Sequence, residues 1–393
     1  MTGSDEVPTL RCPTASAGHD ERGRRMDLIW DMETSDPDDF ITLLLLLGHP
    51  RVNLVGVTVT PGTPDQVGVV RRALDWFGRS IPVGAFNLAH TVRDTGQGRH
   101  GQRGACVSSW HYAAFGDMPP STDAAPGPEL LRDLCGPSIT LVTGAPLKNL
   151  GGALKLPGFQ LGEVVVQGGF AGAGVVPSDR QLDKFRGLAT CPSYNLNGDS
   201  RSALAVIAAE TIGRKRFVSK NVCHGVVYDR ALHAEVAAVR DRATSLGLIW
   251  QGMDKYLDSH APRPAPPRNT AITAAEVRLA GDDGTLTLTG RDDAIAGAAA
   301  RGLDLVAVTA HAVPVCRAMP PAREHRESAD PHGKMLHDPL AACCAIDPSI
   351  AQWAEVDLYR ERGAWGSRLA PGSGVLITVG YDHARFLATL LER

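Results

Sequence analysis

Runs of strand length alternate with runs of helix length through the first half of this chain, and this alternation constrains the fold most. Val52 to Thr60 reads Val-Asn-Leu-Val-Gly-Val-Thr-Val-Thr; Ile81 to Phe86, Ser138 to Thr143 and Glu163 to Gln167 are further short apolar runs. Between and after them, Gln66 to Phe77, a stretch from Leu147, and Ser200 to Thr211 carry helical spacing. Near-continuous apolar strands are buried on both faces, and parallel neighbours need a crossover, usually helical, to return the chain. The expectation is an α/β fold: an open, mostly parallel sheet with helices on both faces and a Rossmann-like core.

The pattern changes after about Arg214. Residues 262–270 are rich in Pro and Arg and read as a loop or linker. Thr285 to Thr289 alternates Thr and Leu behind Asp282-Asp283-Gly284, which predicts a hairpin. Leu303 to Thr309 returns to a buried-strand pattern, 317–334 is charged and loop-like, and Gly374 to Thr378 and Asp382 to Leu391 read as a strand and a closing helix. Residues 1–25 are polar without an apolar core and read as a disordered tail. The rest, 26–393, is expected to form one α/β domain with a divergent segment at 214–336.

Composition excludes some classes. Hydrophobic residues make up 43% and charged residues 21%, as in soluble globular chains. A net charge of −3 offers no surface for nucleic acid, and no apolar run approaches the ~20 residues that span a bilayer. None of the eight cysteines forms a Cys-x-x-Cys pair, which argues against a thiolate zinc site. Without an export signal the expected compartment is the cytoplasm, with reduced, mostly buried thiols.

The chemistry concentrates in Leu28-Ile-Trp-Asp31-Met-Glu33-Thr-Ser-Asp36-Pro-Asp38-Asp39-Phe40, where an apolar run ends in five carboxylates within nine residues. Such a loop would leave the carboxyl end of a strand, the edge where open α/β sheets bind ligands. Clustered carboxylates repel unless a cation sits among them, which suggests a hard divalent metal with oxygen ligands. Asp36-Pro37-Asp38-Asp39 also satisfies a helix start, with Asp36 as N-cap and Pro37 as first helical residue. Asp31 and Glu33, on the strand side, are left unexplained by that role.

Three weaker motifs follow. Leu336-His337-Asp338-Pro339-Leu340 enters an apolar helix. It can be a plain cap, yet the Asp can complete a cation site and the His can donate a proton near neutral pH. Thr143-Gly144-Ala145-Pro146 follows a strand and leaves backbone carbonyls free, which hard metals accept. Pro192-Ser193-Tyr194-Asn195 precedes a helix and offers an amide suited to sugar hydroxyls. Gly169-Phe-Ala-Gly172-Ala-Gly174 lacks the G-x-G-x-x-G spacing of a dinucleotide site.

Taken along the chain, these motifs resemble the nucleoside hydrolase family of the inosine-uridine preferring type. That family carries a DTDxGxDD loop after its first strand, a TGPLTN-like turn, an EFN segment and a late HDP motif. The counterparts here are Asp31 to Asp39, Thr143 to Asn149, Ser193-Tyr194-Asn195 and His337-Asp338-Pro339. His100-Gly101-x-x-Gly104 is similar to its HGxxGL segment, and Tyr381 to Leu387 to its closing helix. The resemblance implies hydrolysis of a ribonucleoside to ribose and free base. It implies a bound Ca²⁺ held by Asp31, Asp39, a carbonyl of Thr143 or Gly144, and Asp338. Asp38, Asn195, His100 and Asp338 would contact the nucleoside, Asp31 would take a proton from a metal-bound water, and His337 would protonate the leaving base. A homodimer or homotetramer is implied, with no nucleic-acid or membrane partner.

The chain departs from the family pattern at several points. The first loop is longer, so Asp31, Glu33 and Asp36 are alternatives for the base, with Asp31 favoured because it directly follows Leu28 to Trp30. The family's Gly-Asn after strand two is Gly62-Thr63, and its Glu before Phe-Asn is Ser193. Two other readings compete. Ile29-Trp30-Asp31-Met32-Glu33-Thr34 is similar to the hhhhDxDxT motif of haloacid dehalogenase-type phosphatases, which use Mg²⁺ and an aspartyl nucleophile. A non-catalytic nucleoside or sugar binder on the same fold is the other.

Overall fold

Along β1 (Met26–Met32), Leu28, Trp30 and Met32 enter one apolar core and Ile29 enters a second. This is the period of two expected of a strand covered on both faces. The computed structural model describes residues 25–89, 106–260, 267–281, 285–309, 311–319 and 333–392. The expectation of a disordered tail concerns residues 1–24, which lie outside the described residues, together with Arg25 at their edge.

Contacts divide the chain into two compact units, Met1–Ser259 with Gly333–Arg393, and His260–His332. The first unit holds an eleven-stranded sheet. Its parallel part contains β1, β2 (Val52–Val59), β3 (Val83–Ala85), β4 (Ala125–Pro126), β5 (Thr140–Thr143), β6 (Leu161–Gln167), β8 (Ile212–Val218) and the strand Val375–Tyr381. These lie in the order β4-β3-β2-β1-β5-β6-β8 and then Val375–Tyr381. The strands Ala351–Glu361, Ala364–Leu369 and β7 (Thr190–Cys191) complete one edge antiparallel. This is the expected open, mostly parallel sheet, here with an antiparallel margin.

The order has a consequence for function. From β1 the chain builds outward through β2, β3 and β4, then returns to the other side of β1 as β5. The switch point therefore falls between β1 and β5, where doubly wound sheets open a crevice at their carboxyl ends. Asp31 pairs with Thr143 across this point.

Helix α1 (Pro37–Gly48) is buried along Pro37 to Leu47, packed between the sheet and the helices Thr244–Ser259 and His337–Ile346. Helix α2 (Pro64–Trp76) starts with a capping box formed by Thr63 and Gln66. Thr63, which stands where the family carries Asn, thus serves the backbone. None of the helices among the described residues is long and apolar enough to cross a membrane.

The second unit is small. Glu276–Ala280 and Leu286–Gly290 form the antiparallel hairpin expected from the Thr/Leu alternation, with residues 282–284 outside the described residues. Val315–Met319 and Asp304–Ala307 extend the sheet, and Val277, Ala294, Leu305 and Cys316 fill its core beside the helix Arg291–Ala299.

Candidate active site

The acidic loop is a built structure. Asp36 takes the N-cap position of α1 and Pro37 its first turn, but the Asp36 side chain makes no capping bond and pairs instead with Lys334 at 3.1 Å. Upstream, Thr34 accepts a bond from Gln66 Nε2 (3.0 Å) and donates to the Cys106 carbonyl (2.8 Å). The Glu33 N–H donates to Asp39 Oδ1 at 2.9 Å, folding the loop over the start of α1.

The His337–Ile346 helix brings Asp338 to this loop. Asp38, Asp39 and Asp338 are all buried, with carboxylate oxygens within 4.8 Å of one another. Burial raises Asp39 and Asp338 well above the usual carboxylate range, and the neighbouring acids push both further. Asp38 behaves differently. Burial would raise it, but Lys334 at 2.9 Å holds it below its ordinary value. Its second oxygen accepts from the His337 N–H at 3.2 Å.

Gly144 closes the floor of this cluster. A Cβ there would lie 2.5 Å from Asp338 Oδ1 and 2.7 Å from Trp30, so only glycine lets backbone and carboxylate approach. Asp338 Oδ1 is buried and has no hydrogen-bond partner among the described residues.

These groups open into a cleft of about 390 Å³. Glu33, Ser35, Asp36, Asp38, Asp39, Asp338 and Gly144 line part of it; Gln167, Ser193, Tyr194, Asn195, Lys220, His224 and His337 line the remainder. Asn195 is oriented by Gln167, whose Oε1 and backbone oxygen accept from its Nδ2 at 2.7 and 3.1 Å. The rings of His337 and His224 lie 4.5 Å apart. Burial lowers His337 to about 4 and, together with His337 and the charges of Lys184, Lys220 and Lys334, His224 to about 2, so both are neutral at pH 7. The His337 Nε2 is buried without a hydrogen-bond partner among the described residues.

Asp31 is placed differently from the other acids. It is fully buried and is not among the cleft-lining residues. Oδ1 accepts from Thr58 (2.7 Å) and Asn149 (2.9 Å), and Oδ2 from Thr143 Oγ1 (3.0 Å). Burial raises it to about 6 against these three bonds. Glu33, two residues on, does line the cleft, and burial with the nearby Asp31 raises it to about 7. Thr143 likewise turns its hydroxyl to Asp31, while Gly144 faces the cleft. His100 lies outside the described residues.

Sequence reasoning missed Lys334, Lys220, His224 and Gln167. Lys334 sits in a charged stretch that reads as loop, and only its pairing with Asp36 and Asp38 distinguishes it. Lys220 and His224 follow β8 with no motif around them. Asn149 was legible as part of the Thr143 to Asn149 turn, though not as a partner of Asp31.

A family description, inosine-uridine preferring nucleoside hydrolase, matches residues 28–388. The chain belongs to this nucleoside hydrolase family. Its members are enzymes that cleave the N-glycosidic bonds of nucleosides, and the chain is a divergent one. A plant nucleoside hydrolase structure is similar at 16% identity, with TM-score 0.55 over 93% of this chain and 98% of that one. A purine-preferring ribonucleoside hydrolase from Gardnerella vaginalis gives 17% identity and TM-score 0.55 over 93% and 97%. An inosine-uridine preferring nucleoside hydrolase from Bacillus anthracis gives 16% and 0.53 over 93% and 99%. No curated protein matches. At these identities the likeness speaks for the nucleoside hydrolase fold alone.

The metal dependence of a nucleoside hydrolase fits the residues present. Asp38, Asp39 and Asp338 are hard oxygen donors, two of them are raised by burial and then by the neighbouring acids, and among the described residues Asp338 Oδ1 lacks a partner.

Proposed function

We propose that this cleft hydrolyses the N-glycosidic bond of a ribonucleoside, releasing ribose and free base. The observation that carries the reading is the meeting of Asp38 and Asp39 with Asp338, from the far end of the chain, in one buried cluster beside Glu33. Asp39 and Asp338, with the Gly144 backbone beside them, would hold a calcium ion. When bound, such a cation supplies positive charge that orients vicinal hydroxyls and makes a water more acidic.

Glu33 is the general base in this reading. It faces the cleft and is raised to about 7, near the value that suits proton transfer at neutral pH. Asp31, enclosed by Thr58, Asn149 and Thr143, is a positioning residue that fixes β1 against β5 beneath the site. As the C1′–N bond breaks, a water oxygen joins C1′ and Glu33 accepts the water proton. The carboxylates favour the positive charge that builds on the sugar. Asn195 binds a sugar hydroxyl. His337, neutral through burial, offers a hydrogen bond to the leaving base, whose proton is drawn from solvent.

The phosphatase reading needs Asp31 as an accessible nucleophile, and its three hydrogen bonds and full burial weigh against that. A dimer or tetramer working in the cytoplasm is the expected setting. The test is a reducing-sugar assay across a nucleoside panel, with and without a chelator. Ribose release from at least one nucleoside, lost on chelation and restored by calcium, is the expected result. Turnover of an aryl phosphate with no nucleoside hydrolysed would overturn it.

A further inference from the structure

We infer that the cleft also binds a negatively charged group on its substrate, a carboxylate or a phosphate, through Lys220 on its wall and Lys184, which lies beside the wall residue His224. This deepens the hydrolase reading and rests on it for the rest of the ligand. Lys220 lines the cleft beside His224 and His337. Its backbone N–H donates to Gly169 O at 3.2 Å, and its Nζ donates to Pro192 O at 2.9 Å. Lys184 Nζ lies 2.9 Å from His224 Nδ1. Both ammonium groups sit over the Phe185 ring, at 5.3 Å for Lys184 and 5.7 Å for Lys220. The two charges share one aromatic ring.

Their charge balance sets them apart from Lys334. Lys334 is matched by Asp36 and Asp38. Among the described residues, neither Lys184 nor Lys220 forms an ion pair with a carboxylate. Two uncompensated cations on one ring repel each other, and burial together with Lys220 lowers Lys184 from its ordinary value. An uncharged nucleoside gives them no counter-charge. An anionic oxygen group does, through charge-assisted hydrogen bonds about twice as strong as neutral ones. The glycine-rich turn at Gly169, with φ of 82°, brings the chain close to Lys220 and gives that segment a role without a dinucleotide.

The experiment is calorimetric titration of the full chain with paired probes: ribose against ribose 5-phosphate, and uracil against orotate. At least one charged probe is expected to bind about tenfold tighter than its neutral partner. That preference should disappear in Lys184→Met/Lys220→Met and persist in Lys220→Arg. Preference within the sugar pair assigns a phosphate on the ribose side; preference within the base pair assigns a carboxylate on the base. If neither charged probe is preferred, or the preference survives the double substitution, the inference fails. Should the double variant not fold, the exposed Lys184→Met alone must still lower the preference. A parallel reducing-sugar assay separates the two readings: anion preference without ribose release defeats the hydrolase reading, and ribose release without anion preference defeats this one.

Discussion

The Lys334 ammonium lies 2.9 Å from Asp38 Oδ1, joining the acidic loop to a residue 296 positions later. Both side chains are almost fully enclosed, at 6% and 3% exposure. Removing one partner of a buried pair leaves the other charge uncompensated. Lys334→Met is therefore expected to destabilise the protein by about 3 kcal/mol in urea unfolding. A change within 0.5 kcal/mol, as at ordinary surface sites, would show that the pair does not hold the loop.

Glu33→Gln keeps the shape of the side chain and removes its basicity. Turnover should fall by roughly 10²–10⁴ with KM little changed, the loss typical of a general base. Asp31→Asn sets an amide against three hydrogen-bond donors, so it should lower the melting midpoint before it lowers kcat. Equal kcat losses without any stability difference would return the base to Asp31.

Gly144→Ala puts a Cβ 2.5 Å from Asp338 Oδ1. Overpacking of this kind costs about 1–3 kcal/mol. The displaced carboxylate should weaken calcium binding at least tenfold by titration. Unchanged affinity would mean that Asp338 does not hold the ion.

Acid should act against the fold through two buried histidines that do not line the cleft. Burial holds His111 at about 4, and burial together with Arg51 holds His49 at about 4, against an ordinary 6.5. Between pH 6.5 and 4 these two sites bind protons in the unfolded chain that the folded chain excludes, so their contribution to stability falls as pH drops through that window and is flat above it. His111 alone contributes up to about 1.4 kcal/mol per pH unit there. Urea midpoints at pH 7 and pH 5 for wild type and His111→Gln measure this: the variant should lose less stability on acidification than wild type, while the raised Glu33 and Asp31 contribute equally to both.

The parallel core was readable because its strands are buried on both faces and its helices carry their own spacing. Val52–Val59 and Thr140–Thr143 fall where the apolar runs predict. The antiparallel margin was not: Ala351–Glu361 alternates apolar and polar residues among charges, and its place depends on pairing with Val375–Tyr381. At the site, Asp38, Asp39 and Asp338 were legible as types and positions. The distinction between Asp31 and Glu33 was not, because both are acids at the end of one strand. Thr58, Asn149 and Thr143 decide which of the two is enclosed, and they come from three other segments.

Helix α1 is buried from Pro37 through Leu47. The element that carries Asp38 and Asp39 therefore cannot tilt away to ease their repulsion from Asp338. Packing keeps the like charges together, and the fold tolerates an electrostatic tension that only a cation or a proton relieves. Such a chain should melt higher once Asp39 is neutralised to Asn, and should lose its chemistry by the same change.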